Sequence, residues 1–391
     1  MEYRFELNKS ISDSDLSGWR DLCRGHDDAF MDPEFIAANE SALANDCRFW
    51  TLLVRDPQDR PAMAACLTSL SVDAAVLSGD FAHRCVARIR RLWPGYFKFR
   101  VLLVGLPVSA GQSSVAFAQW ADRSLAVQAA ERAVRQVARE SRACAVVWKE
   151  FDESEVASLA DLTRMGYLRA DSLPMNQLEV AFRSFEEYCS SLRSKLRYDI
   201  RRSQRKLQRA GFHIRRLDGS EGADQWYSDT VHRLHEAVVL RSSTQLQMLP
   251  AEFFRELARR VGKQAVFYFA HKGERTAGVA CALQGRHAYE LLFTGFDDEA
   301  NRRADLFFNL VYARLDEAMR SGAKRIHLGQ NADTFKARLG ATQRRRWIFA
   351  RGCGILKPLL HVFGGLVFRP IGLAPPRQVL REATPASVGS P

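Results

Sequence analysis

Residues 264–284 read QAVFYFAHKGERTAGVACALQ. Two apolar runs rich in β-formers flank a Lys-Gly-Glu turn, which is the signature of a β-hairpin. This hairpin has a counterpart. Residues 47–71, CRFWTLLVRDPQDRPAMAACLTSLS, show a strand, a Pro/Asp turn and a return arm in which AMAACL resembles AGVACAL. The segments that follow agree as well. In the first half, a strand at 99–107 (FRVLLVGLP) precedes a helix at 120–140, a strand at 144–148 and a short helix ending in LTRMGY. In the second half, HAYELLFTGFD (287–297) precedes a helix at 303–321, the strand KRIHLG (324–329) and a short helix ending in KARLGA.

The repeated order predicts an α/β protein (an α+β mixed sheet) built from two tandem units, with continuous apolar runs marking strands covered by helices. The expected boundaries are 1–180, 181–352, and 353–391 as an apolar segment and unstructured tail. The length of 391 residues suffices for two cores, and an apolar fraction of 47% is that of a globular chain. Eight scattered cysteines, several inside apolar runs, read as reduced small hydrophobes and suit a cytoplasmic protein. The first fifteen residues carry no signal-peptide run, and no apolar stretch reaches the roughly 18 residues of a membrane span. No metal-ligand spacing, P-loop or Ser-His-Asp pattern occurs, so no metal is expected.

A net charge of +12 favours anionic partners. Eight of its bases fall in 192–212, LRSKLRYDIRRSQRKLQRAGF, between the units. Ser184 and Glu187 form a capping-box pattern, and Gly211 suits a C-terminal cap. Phe185, Tyr188, Leu192, Leu196, Ile200 and Leu207 make an apolar stripe, so one docked amphipathic helix is expected, with the bases on its other faces.

From 264 to 345 the order of elements resembles the core of the GNAT N-acyltransferase fold. SKLRYDIRRSQRKLQRAGFHI, VHRLHEAVVLRSSTQLQMLPAEFFREL and GQNADTFKARLGA resemble segments of the Fem-like, or GNAT-like, bacterial N-acyltransferases, which also carry two GNAT units. The resemblance covers 176–350 well and the first half poorly. It implies transfer of an acyl group from acyl-CoA to an amine on a small molecule, lipid or wall precursor. The alternative it implies is a Fem-like enzyme that takes an aminoacyl group from tRNA to a cell-wall or lipid-linked precursor. A non-catalytic polyanion binder is the third reading; DNA is not an expected partner.

The resemblance also points to site residues. Glu290 and Tyr289, in a strand flanking the acyl site, and Asp297 just beyond it are the candidate catalytic groups. Arg302, Arg303, Asn331 and Lys336 are expected at the cofactor, and Arg197, Arg201, His235 and Gln330 at the substrate. The stretch DDEANRRADLFF departs from the family's glycine-rich pyrophosphate loop. In the first unit GLPVSAGQSS (105–114) reads as a degenerate loop, and Trp148, Lys149 and Glu150 as cleft-lining residues. Residues 354–373, GILKPLLHVFGGLVFRPIGL, read first as a tail packed against the core, with peripheral contact to an anionic membrane surface or lipid-linked substrate as the alternative.

Overall fold

A computed structural model describes residues 2–24, 26, 28–73, 98–109, 111–241, 248–354, 357 and 370–381. The strands of the first unit are β1 (Arg4–Asn8), β2 (Cys47–Arg55), β3 (Pro61–Asp73), β4 (Lys98–Val104), β5 (Val115–Phe117), β6 (Ala145–Phe151) and β7 (Leu168–Glu179). Those of the second are β8 (His213–Asp218), β9 (Ala265–Lys272), β10 (Arg275–Gln284), β11 (Ala288–Phe296), β12 (Arg325–His327) and β13 (Thr342–Gly352). The 264–284 stretch is the β9–β10 hairpin. Lys272 and Arg275 face each other, and Gly273 takes a φ of 56° between them, a backbone that glycine adopts without steric cost.

The two units share one sheet. Its order is β1-β2-β3-β4-β6-β13-β7-β12-β11-β10-β9-β8, with β5 paired to β3. β13, the last strand of the second unit, lies antiparallel to β6 and β7 of the first. In return, β7 pairs with β12. The closing strands are thus exchanged, and the sheet runs on past the expected boundary at 180/181. The exchange is symmetric: β4 is parallel to β6 as β11 is parallel to β12. This supports the duplication read from the two hairpins.

Helices cover both faces. Arg123–Glu140 lays Ala126, Ala129, Ala130, Ala133, Val134 and Val137, all fully buried, on the first unit's strands. The spacing is that of one helical face, and the small side chains permit close approach. On the second unit, Leu306–Arg320 packs on one face of β9–β11, while Asp229–Arg241 and Ala251–Val261 pack on the other. Gly295 is where Asp229–Arg241 comes nearest β11; a β-carbon there would sit 2.4 Å from the His235 backbone nitrogen.

The basic stretch forms two helices, Phe185–Ser191 and Ser194–Arg209, where one was expected. Leu192 and Arg193 are extended, and the break is held by the C-terminal segment. Arg193 N–H donates to the Val379 carbonyl, and Arg381 N–H to that of Ser191. Residues 370–381 are therefore docked, with Val379 buried beside Gly340, where an unstructured tail was expected. The apolar segment read at 354–373 lies outside the described residues from 355 to 369, apart from Lys357. Among the described residues no helix is long and apolar enough to cross a membrane.

Candidate functional site

The site begins where β11 and β12 stop pairing. Their last paired rung sets Glu290 beside His327, and with period-two alternation both side chains point to the same face. Glu290 is fully buried. Its carboxylate meets His327 Nδ1 at 2.7 Å and accepts from Gln112 Nε2 at 2.9 Å. Gln112 comes from the 105–114 loop of the first unit, so the cluster requires both halves of the chain. A carboxylate in a strand core is costly unless satisfied, and here it is. Gln112 Nε2 also lies 2.9 Å from His327 Nδ1; in the tautomer with its proton on Nδ1, His327 donates to the carboxylate and keeps Nε2 as an acceptor, an arrangement suited to a general base.

Two cavities flank the 105–114 loop. The first, of about 620 Å³, is polar and is lined by His327, Gln112, Asp28, Glu155 and Arg346 among others. Burial, with repulsion from Glu290 and Glu155, raises the Asp28 carboxyl to about 7. The second, of about 380 Å³, is mostly apolar and runs along the open ends of β11 and β12. Leu291, Phe293, Leu328, Phe307 and Phe335 line it, together with two buried cations, Arg314 and Lys336. Arg314 donates to the Leu310 carbonyl and to Thr294 Oγ1. Burial lowers its guanidinium to about 10 and the Lys336 amine to about 7. Lys336 Nζ has no hydrogen-bond acceptor among the described residues. It lies 3.8 Å from the place a β-carbon on Gly329 would take, two residues beyond His327.

A third concavity lies on the outside of Ser194–Arg209. Tyr198, Arg202, Arg205 and Arg209 recur at helical spacing and form one wall of a groove of about 940 Å³; Arg303 and Phe308 form the other. Tyr198 is 57% and Phe308 37% exposed. Phe308 and Phe307 both contact the Phe335 ring, with centroids at 4.9 and 5.3 Å. Phe307 and Phe335 also line the apolar cavity, so this aromatic cluster separates groove from cavity.

The structure sorts the residues expected from the sequence. Glu290 lies beneath the polar cavity, bonded to its lining residues His327 and Gln112; Lys336, His235 and Asn331 line the apolar cavity, and Arg303 lines the groove. Burial against Phe254 and Phe293 lowers the His235 ring to about 4. Tyr289 is not at the site: it points to the opposite face, is fully buried and bonds Tyr268 Oη at 2.7 Å. Asp297 is a helix cap, its carboxylate accepting the Ala300 N–H. Arg302 is exposed and outside the cavities. Arg197 donates to the Ser190 and Leu192 carbonyls and Arg201 pairs with Glu186, so both are spent within the helical hairpin. Gln330 donates to the Leu173 carbonyl. Of the first-unit trio, Glu150 lines the polar cavity, Lys149 ties the 105–114 loop through the Leu106 carbonyl, and Trp148 is core. Sequence reading missed His327, Gln112, Arg314 and Arg346. A signal existed for His327: it is the polar residue of a short buried strand whose parallel neighbour carries Glu290.

Two strand-exchanged units of the same element order in one mixed sheet make a tandem GNAT-like fold. The chain belongs to the FemAB-like family, described as peptidoglycan biosynthesis/recognition, whose model matches residues 11–347. Its structure is similar to that of FemX, with a TM-score of 0.57 at 10% identity, covering 93% of this chain and 99% of that one. It is also similar to the C-terminal domain of a putative lysylphosphatidylglycerol synthetase from Agrobacterium fabrum, with a TM-score of 0.52 at 9% identity over 93% of this chain and 99% of that one. In sequence, the chain is 22% identical over 301 residues to the putative 8-amino-7-oxononanoate synthase 2 of Mycobacterium tuberculosis. That match takes in 76% of this chain but only 38% of the relative's length.

Proposed function

We propose that this chain transfers an aminoacyl group from the 3′ end of an RNA to an amine. The family and fold support an acyl or aminoacyl transferase. The donor class rests on one observation: an exposed groove walled by Arg202, Arg205, Arg209, Arg303, Tyr198 and Phe308 lies on the other side of the Phe307–Phe308–Phe335 ring cluster from the apolar cavity. A nucleic-acid strand fits such a groove because arginines meet phosphates while exposed aromatic rings stack on bases. The acyl-CoA reading loses its anchor. Where a GNAT-type pyrophosphate loop would lie, the helix Asp298–Ala304 begins instead, and the Asp297 carboxylate takes one of its free amides, that of Ala300. Asp297, Asp298 and Glu299 pair with Arg275, Arg241 and Arg303, so the helix start has no excess positive charge for a pyrophosphate.

In this reading the ester carbonyl enters the apolar cavity. Arg314 and Lys336 face the oxygen that becomes negative in the tetrahedral intermediate, Arg314 as a cation and Lys336 as an N–H donor that takes up a proton as the negative charge develops beside it. The amine enters from the polar cavity and gives its proton to His327 Nε2, while Glu290 steadies the imidazolium. The family's description as peptidoglycan biosynthesis/recognition and the similarity to a putative lysylphosphatidylglycerol synthetase support aminoacyl chemistry on a wall or lipid precursor. The deciding experiment is binding of total tRNA and of CoA by the intact chain, at several salt concentrations. The expected result is tRNA binding that weakens steeply with salt, and no CoA binding. CoA binding without tRNA binding would overturn the donor assignment.

A further inference from the structure

The polar cavity is lined by groups of both signs, and apart from Glu150, which meets Lys149 at 3.3 Å, its inner acids form no direct ion pair among the described residues, although Arg346 acts on Glu155 at longer range. Among the described residues Asp28 accepts the Phe30 N–H alone, and Glu155 accepts the Asp152 N–H and the Ser113 hydroxyl. Glu290 is taken up by His327 and Gln112. None of the three has an arginine or lysine partner among the described residues. Arg346 is 8% exposed and equally without a carboxylate: its Nε donates to the Gly111 carbonyl at 2.7 Å and its Nη1 to that of Arg345. At the rim the pattern differs, since Arg345 pairs with Asp171 and Arg344 with Glu179. Opposite charges facing one cavity normally collapse onto each other. Here backbone hydrogen bonds hold them apart, and a buried unpaired charge is costly. A ligand that carries both signs a few bonds apart completes both ends at once, whereas a plain amine or a plain anion completes one.

We infer that this cavity binds an acceptor with its amine and a carboxylate on the same carbon. The carboxylate docks on the Arg346 guanidinium, and the ammonium sits among Asp28, Glu155 and His327. Such a group can be a free amino acid or the end of a larger molecule. Binding stands by itself, and only the fate of the amine rests on the transferase reading. In that step the ammonium gives one proton to His327. The freed nitrogen forms a bond to the ester carbonyl carbon, the carbon–oxygen ester bond breaks, and the departing hydroxyl oxygen takes a second proton from nitrogen. The product is an amide.

The test is calorimetric titration of the intact chain with four probes: L-alanine, L-alaninamide, propionate and Nε-acetyl-L-lysine. L-Alanine should bind about 10- to 100-fold more tightly than L-alaninamide or propionate, the loss of one charge-assisted contact. A preference for Nε-acetyl-L-lysine over L-alanine assigns the group to the end of a larger molecule, and the reverse assigns a free amino acid. Arg346→Met should erase the alanine-to-alaninamide ratio, with its fold checked by circular dichroism. Should that variant not fold, Asp28→Asn with Glu155→Gln should weaken both amines alike. Equal binding of alanine and alaninamide by the unaltered chain overturns the inference. Transfer to alaninamide as fast as to alanine overturns it too, while leaving the transferase reading intact. Binding of alanine with no transfer to any amine overturns the transferase reading and leaves the site.

Discussion

Replacing Lys336 with methionine probes the electrostatics of the apolar cavity directly. The two side chains are similar in length, so packing changes little, but the variant has no proton to lose. In the folded chain burial lowers this amine from 10.5 to about 7. Between those values the unfolded chain holds a proton that the folded chain has released, so stability rises with pH across the window. By the linkage relation, this one residue adds a few kcal/mol of stability, on the order of 1–4 kcal/mol, between about pH 6 and about pH 9. Lys336→Met lacks that contribution. The variant should therefore be the more stable protein at about pH 6, with the gap narrowing by about that amount by about pH 9. Urea unfolding followed by tryptophan fluorescence at matched ionic strength measures it. The same variant, although better folded, should lose most transfer activity because the oxyanion has lost a partner. Parallel pH dependences for the two proteins would refute the buried-amine argument, and retained activity would refute the role.

Three further outcomes follow from the geometry. Glu290→Gln and His327→Ala should each lower kcat by about 100- to 10,000-fold with tRNA affinity unchanged; equal losses in affinity would point to a structural role. Changing Arg202, Arg205 and Arg209 together to alanine should reduce the slope of log affinity for tRNA against log salt by about 2 to 3 while leaving thermal stability within a few degrees. An unchanged slope would place the polyanion elsewhere. Gly295→Ala drives a methyl against the His235 backbone and should cost about 1–3 kcal/mol in a denaturant melt. A neutral result would mean the helix Asp229–Arg241 slides without penalty.

The charged stretch at 192–212 shows how far local reading carries. Its apolar stripe correctly forecast a docked face, with Ile200 buried, because side chains three and four apart must share a helix face. Which arginines stay free was beyond that reading. Arg197 and Arg201 are drawn into a helical hairpin by the break at Leu192, and that break depends on a segment some 190 residues away.

The sequence by itself determined the elements, the duplication and the family. Hairpins, caps and apolar periodicities are written in neighbouring residues, and two similar runs of them announce two similar units. Glu290 was legible for the same reason, as a charge inside an apolar strand. Only the tertiary structure decided that β13 and β7 change places, and therefore that Gln112 of one half bonds Glu290 of the other across 178 residues. Backbone hydrogen bonding is indifferent to side-chain identity, so a strand's pattern says which face is buried and not which strand lies beside it. The Glu290–His327 pair and the polar cavity beside it depend on that choice of neighbours.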